Sequence, residues 1–362
     1  YTTYLHALNK VAIKMTLFHY EPNNSLKNKM AFSNTYDTTN PGSGVSNRED
    51  LTDVLTILAP EETPILSSAN KQRASATFVE WTVDSLSAPS TAGISEGADV
   101  TTFTDQFAGR ARLGNYIQKF RRDYQVSDLQ EAVDSVGPAK IAQAEAKAIR
   151  ELKRDVEATL CGTQTRAAED GTSTAYALAG LGAWIDSAAA DTLVPPGFKT
   201  PADSIHAAAE GAFTETVLNN LITSIFRETG TTNNLTMVAD TAVRRIISDF
   251  ARTAGVSGTD ADSVRTVNYN GDSAQIKLSV EFYQSDHGMI SIVNGNPDCM
   301  PDTTNKDFAY LVNPEYYGIH ELIPMGSTRL PNQGGGERGY VDCSLTLGVY
   351  HPQAHGKISV VA

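Results

Sequence analysis

Cysteine is scarce in this chain. Only Cys161, Cys299 and Cys343 occur among 362 residues, far apart and without a Cys-x-x-Cys pair. An odd, scattered set argues against a disulfide framework or a cysteine-rich zinc site and suits a reducing cytoplasm. Basic charge is also short: 29 Lys and Arg against 42 Asp and Glu leave a net charge of −13. A dedicated nucleic-acid clamp needs a basic footprint, so that class is disfavoured. No apolar run approaches the roughly 18 residues of a membrane-spanning helix. Val11–Phe18 is short, carries Lys14 and lacks a small-residue cleavage site, so it does not read as a signal peptide and no membrane partner is expected.

The motifs of common chemistries are missing as well. There is no phosphate-binding G-x-x-x-x-G-K-[ST] loop, no G-x-G-x-x-G and no G-x-S-x-G elbow. His351 and His355 stand four apart, but Pro352 and strand-like flanks deny them a shared helical face, so they read as surface or turn histidines. Asn294–Asp298 resembles half a calcium loop, yet Asn305 stands where the bidentate acid belongs, and turn chemistry explains it better. Asp298 and Asp302 have the spacing of paired carboxylates for acid–base work, but nothing locates a nucleophile or substrate pocket beside them. No catalytic residue, metal or cofactor is expected, and an enzyme is disfavoured.

What is present is a globular composition, 41% hydrophobic and 20% charged, in a length suited to about two domains. Residues 1–29 are locally basic, through Lys10, Lys14, Lys27 and Lys29. The polar stretch Ala31–Asn47 lacks apolar periodicity and reads as an extended arm ordered only by partners. Leu51, Val54, Leu55 and Leu58 have helical spacing, ended by Pro60 and Pro64.

Thr77–Val83 alternates like a strand, with Trp81 on one face and Glu80 on the other. Asp84–Gly109 is almost entirely small, polar or acidic, and Arg110–Val126 returns as β with Tyr116, Phe120 and Tyr124 at even positions. The expectation is a long two-stranded excursion with a tip of about 25 residues, too long for a compact domain without a use for it. Its returning side carries Arg110, Arg112, Lys119, Arg121 and Arg122 between the aromatics. In so acidic a chain, pairing with acids such as Glu80, Asp84, Glu96 and Asp99 on a neighbour explains this row better than nucleic acid.

Ser127-Asp-Leu-Gln130 is a capping box, and after Gly137-Pro138 a helix of about 33 Å is expected over Ala139–Leu160. Nine of its residues are charged, Lys147–Glu151 and Lys153–Glu157 stand at i,i+4, and Ala148, Leu152, Val156 and Leu160 form a narrow apolar stripe. A second helix at Val217–Phe226 ends at Gly230, Leu235–Ala239 reads as a buried strand, and Asp240 caps a third helix. Hairpins are expected at Asn270-Gly271 and around Ser285–His287, with final strands at Arg338–Val349 and Gly356–Val361. The class is α+β.

The run Arg48–Leu66, then Glu80-Trp81, Glu96-Gly97, Arg112–Tyr116, Val126-Ser127, Glu151–Asp155, Asp286–Gly288 and Pro352–Gly356 resembles the major capsid proteins of tailed double-stranded-DNA phages. The similarity rests on order and spacing over Met30–Ala362, and residues 1–29 lie outside it. It implies the tailed-phage, or Hong Kong 97-type, capsid fold. The parts would be an N-terminal arm at 1–75, an extended β loop at 76–126, a peripheral domain with a spine helix at 127–211, an axial domain at 212–325, and terminal strands at 326–362 completing the peripheral domain.

The implied function is a structural virion protein, assembled in the bacterial host cytoplasm into hexamers and pentamers of an icosahedral shell around packaged DNA. Decoration, scaffolding or portal proteins are the further partners this implies. An encapsulin-like nanocompartment shell holding a cargo enzyme is the alternative. Phe78, Glu80, Trp81, Arg110, Arg112, Tyr116, Phe120, Arg121 and Arg122 are the expected intersubunit contacts. Some relatives of this fold join a lysine to a neighbour's asparagine, but Asp84–Gly109 contains no lysine, so a non-covalent shell is expected.

Overall fold

The computed structural model describes residues 62–133, 140–232, 234–253, 267–270, 273–276, 281–301 and 306–361. The expectations for the basic tail, the polar arm, the Leu51–Leu58 helix and Asp302 fall outside them. Six helices are described: α1 (Pro64–Ser68), α2 (Asp128–Ala132), α3 (Lys140–Cys161), α4 (Leu181–Trp184), α5 (Glu215–Thr229) and α6 (Thr241–Thr253). The strands are β1 (Asn70–Arg73), β2 (Phe78–Val83), β3 (Ala111–Tyr116), β4 (Gln118–Val126), β5 (Ile205–Ala209), β6 (Thr236–Ala239) and β7 (Val267–Asn270). They continue as β8 (Ser273–Ile276), β9 (Phe282–Ser285), β10 (Gly288–Asn294), β11 (Lys306–Val312), β12 (Tyr317–Leu330), β13 (Glu337–Val349) and β14 (Gly356–Val361).

Two sheets organise the body. A four-stranded sheet in the order β1-β12-β13-β4 carries the long helix α3 across β4 and β13. The stripe Ala148, Leu152, Val156 and Leu160 is buried there against Phe120, Tyr124 and Val341, as its helical spacing requires. Ser127 Oγ accepts the Gln130 N–H at 3.3 Å, so the expected cap forms, but on a helix of only five residues. Lys147 meets Glu151 at 3.7 Å as expected. Glu157 departs from the expected pairing with Lys153: it is 1% exposed and faces the core, while Lys153 lies in solvent.

A six-stranded mixed sheet, β5-β14-β11-β6-β10-β9, packs against α5 and α6. Gly230 closes α5 at φ +70°, where only glycine sits without strain, and Asp240 Oδ1 accepts the Thr241 N–H at the start of α6. Both expected hairpins form, pairing Asn270 with Ser273 and Ser285 with Gly288. Alternation along β11 links the two hydrophobic clusters. Phe308, Tyr310 and Val312 belong to the core beneath α3, whereas Ala309 and Leu311 belong to the core beneath α5 and α6. Tyr310 also donates its hydroxyl to the Cys161 carbonyl at 2.7 Å, tying the end of α3 to this sheet.

Several sequence boundaries move. Asn70–Arg73, placed in the arm, pairs in parallel with Gly318–Glu321 and forms an edge of the four-stranded sheet. Gln118–Val126, placed in the excursion, pairs with Leu345–Glu337 and belongs to that sheet too. Gly356–Val361, expected to complete the peripheral domain, lies between β5 and β11, where Ile358 and Val360 enter the core beneath α5 and α6. The 325/326 boundary falls inside β12. Partner choice between strands rests on long-range burial, which local alternation does not encode.

Candidate functional site: the extended loop and its base

The excursion is shorter in its paired part than expected. β2 pairs with β3 from Phe78 opposite Tyr116 to Val83 opposite Ala111. The chain then turns at Ile117, whose N–H donates to Thr77 O at 2.9 Å, and enters the four-stranded sheet as β4. Gly114 lets the ribbon close, because a Cβ there would sit 2.7 Å from the Phe78 ring.

Beyond the pair lies an irregular tip, Asp84–Arg110, exposed throughout. Five large apolar side chains stand in solvent on it: Leu86 at 101% relative exposure, Phe103 at 89%, Ile94 at 88%, Val100 at 70% and Phe107 at 61%. Phe107 carries the Arg110 guanidinium 4.0 Å above its ring, and Arg110 Nε meets Asp84 at 2.7 Å. The tip bears four acids, Asp84, Glu96, Asp99 and Asp105, and no base before Arg110. Sequence reading, looking for periodicity, passed over these apolar residues. A plain count of large side chains in a segment without regular structure was the available signal.

The base is fixed by aromatics. Trp81, half-buried, lies 5.6 Å from Trp184, stacks on His320 at 6.4 Å and meets Tyr350 edge-on at 5.8 Å. Tyr350 Oη and His320 Nε2 are 3.1 Å apart, and burial lowers the His320 pKa. On the opposite face Phe78 and Tyr116 pack at 4.5 Å, with the Arg166 guanidinium 5.2 Å over Phe78.

These placements sort the nine residues expected at an intersubunit surface. Phe120 is a correction: it is 7% exposed in the chain's own core, because β4 belongs to the sheet beneath α3. Trp81 packs on that same core, and Phe78 and Tyr116 are half-buried, so the chain itself covers much of the surface thought to need a neighbour. The basic row is already paired within the chain. Arg112 meets Glu80 at 3.6 Å, Arg121 meets Asp123 at 3.0 Å, and Arg122 donates twice to Asp155 at 2.5 and 2.7 Å. All are exposed pairs, worth little individually and free to exchange partners at a contact.

Elsewhere the chemistry is structural. Cys161, Cys299 and Cys343 are buried thiols, and desolvation pushes Cys299 up to about 11 and Cys343 up to about 12. His355, read as a surface or turn residue, is wholly buried; it accepts the Asn313 N–H on Nδ1, and burial lowers its pKa to about 4. Asp298 pairs with Arg154 at 2.5 Å, and Asn296 Oδ1 accepts the Asp298 N–H, as turn chemistry predicts. Among the described residues no cluster of His, Cys, Asp or Glu could hold a metal ion, and no helix is long and apolar enough to cross a membrane.

Residues 30–362 match a family model, SU10 major capsid protein. The chain belongs to that family. As a major capsid protein it is a structural subunit of an icosahedral shell and a component of the phage virion. The fold agrees. The capsid of a native GTA particle matches with a TM-score of 0.54 at 13% identity, over 89% of this chain and 97% of that one. Gordonia phage Cozz matches at 0.53 and 14%, over 89% and 93%. The holo-SrpI encapsulin complex from Synechococcus elongatus matches at 0.50 and 13%, over 88% and 94%. No sequence among curated proteins matches significantly.

Proposed function

We propose that the Asp84–Arg110 tip of this capsid protein is the grip by which one subunit holds the next in a shell around packaged DNA. The observation that carries this reading is the five large apolar side chains exposed on a segment with no surface of its own domain against them. The outer face of α3 on a neighbouring copy is the proposed receiver. Its exposed Lys147 and Lys153 complement the four acids of the tip, while its buried stripe leaves that charged face free. In this reading the four-stranded sheet with α3 is the peripheral domain and the six-stranded sheet the axial domain. Arg110, Arg112, Arg121 and Arg122 exchange their internal acids for those of a neighbour and set register more than affinity.

The genome is proposed to be held without a specific site, consistent with the net charge of −13, assembly taking place in the host cytoplasm. Electron microscopy of purified particles with assay of their contents is the test. Closed shells containing DNA are expected, with isolated subunits binding DNA weakly and without sequence preference at physiological salt. Shells holding a protein cargo and no DNA would instead support the nanocompartment reading, for which the encapsulin likeness is the reason to look.

The contacts between chains are proposed to be non-covalent. The tip offers no lysine for an isopeptide bond, and the three cysteines are buried. Intact particles on a denaturing gel are expected to give a single monomer band. A ladder surviving heat and reductant would refute this.

A further inference from the structure

A groove of about 520 Å³ opens beside α4, between residues 163–166, the chain at 186–193, and Lys357 of β14. Its walls at Gly182, Ala183 and the alanines of 188–190 are small, so the space follows from a sequence that places few large side chains there. That volume is the size of a small-molecule site and exceeds what one bare ion needs.

Two cations line the groove, and the acids around them do not match their charge. The Lys357 side chain is only 12% exposed; its Nζ donates to Gly182 O at 3.1 Å and lies 3.5 Å from Asp186 Oδ2. An ammonium has three donors, so one remains. Arg166, half-buried, donates through Nη1 to Gly114 O and through Nη2 to Thr192 O, which are neutral carbonyls. Among the described residues no carboxylate forms an ion pair with it. Glu80, whose charge it feels, is paired with Arg112 at 3.6 Å, and Asp191 is held by Lys199 at 2.7 Å. Arg166 and Lys357 against Asp186 thus leave one positive charge, in a chain of net charge −13. A guanidinium taken partly out of water without an anion is unfavourable, and the nearest remedy is an anion.

We propose that this groove binds the phosphate group of a small molecule, with Arg166 and Lys357 as its charged donors and Asp186 as the internal anion it displaces from Lys357. Arg166 supplies the planar fork that suits an oxyanion, and Lys357 a point charge. The hydroxyls of Thr163 and Thr165 on the exposed rim add neutral donors. Together these outnumber what the two oxygens of a carboxylate accept, which favours the three terminal oxygens of a phosphomonoester. Because Arg166 also holds Gly114 O and lies over Phe78, the bound phosphate sits against the base of the extended loop. The inference concerns the single chain and does not rest on how shells form.

Isothermal titration calorimetry of full-length subunits with inorganic phosphate and with thymidine monophosphate, in a buffer free of other oxyanions, is the test. Saturable binding with a Kd of about 1 mM or tighter is expected for both. Arg166→Gln should weaken it about tenfold or more, since a charge-assisted fork is lost. Asp186→Asn keeps the acceptor for the Ala188 N–H and removes the competing charge, so it should tighten binding about threefold or more. Absence of saturable binding to the wild-type chain overturns the inference. So does an affinity unchanged in Arg166→Gln, or one that fails to rise in Asp186→Asn, which decides the matter even if Arg166→Gln does not fold. A short oligothymidylate that binds where both small phosphates do not would assign the contact to a nucleic-acid backbone and overturn the small-molecule reading.

Discussion

Excising Leu86–Phe107 and joining the strands through a short turn is expected to leave a folded subunit that no longer closes into shells. The tip contributes nothing to either hydrophobic cluster, and its hydrogen bonds are local. Far-UV circular dichroism and the unfolding midpoint of isolated subunits should therefore barely change. Assembly should change greatly. Fully burying a large apolar side chain is worth about 1.5–3 kcal/mol, so five of them represent about 8–15 kcal/mol per contact before the costs of association. Repeated around a shell, that loss is decisive. Sedimentation and electron microscopy give the result directly, and normal-sized, heat-resistant shells from the shortened protein would end the proposal that the tip directs assembly.

Trp184→Ala should be the most damaging single substitution in the body. Trp184 is fully buried on the short helix α4, within the cluster that joins α3 to the four-stranded sheet, and its ring supports Trp81 at the loop base. Emptying such a site costs about 3–5 kcal/mol, a large part of the 5–15 kcal/mol typical of a folded domain. Denaturant unfolding of isolated subunits should show that loss. Trp81, then the sole tryptophan, should emit at longer wavelength as its stacking partner disappears. A loss below about 1 kcal/mol would show that the surrounding core collapses to fill the space. Trp184→Phe should recover part of the loss, since an aromatic ring would again face Trp81.

Much of this protein follows from local pattern. The stripe Ala148, Leu152, Val156 and Leu160 places α3 and its buried face within one residue at each end, because 3.6-residue periodicity is a property of neighbours in sequence. The Ser127 and Gly230 caps, the two hairpins and the alternation of β2 are legible for the same reason. So is an unusually long loop between β2 and β3, since nothing within Asp84–Gly109 supplies either period.

Tertiary structure alone decided which strands become neighbours. Arg110–Val126 reads as one strand, yet it breaks at Ile117 because Phe120 and Tyr124 gain more by packing under α3 than on a free ribbon. β14 joins the six-stranded sheet for a like reason, as Ile358 and Val360 fill the core beneath α5. Glu157 is the sharpest case. At i,i+4 from Lys153 it has the spacing of a surface ion pair, and a turn 92 residues earlier in the chain claims it instead. Spacing along a helix sets which residues share a face. Only the packed fold decides whether that face meets water or the unpaired amides of a distant segment, because burial is a long-range property of the chain.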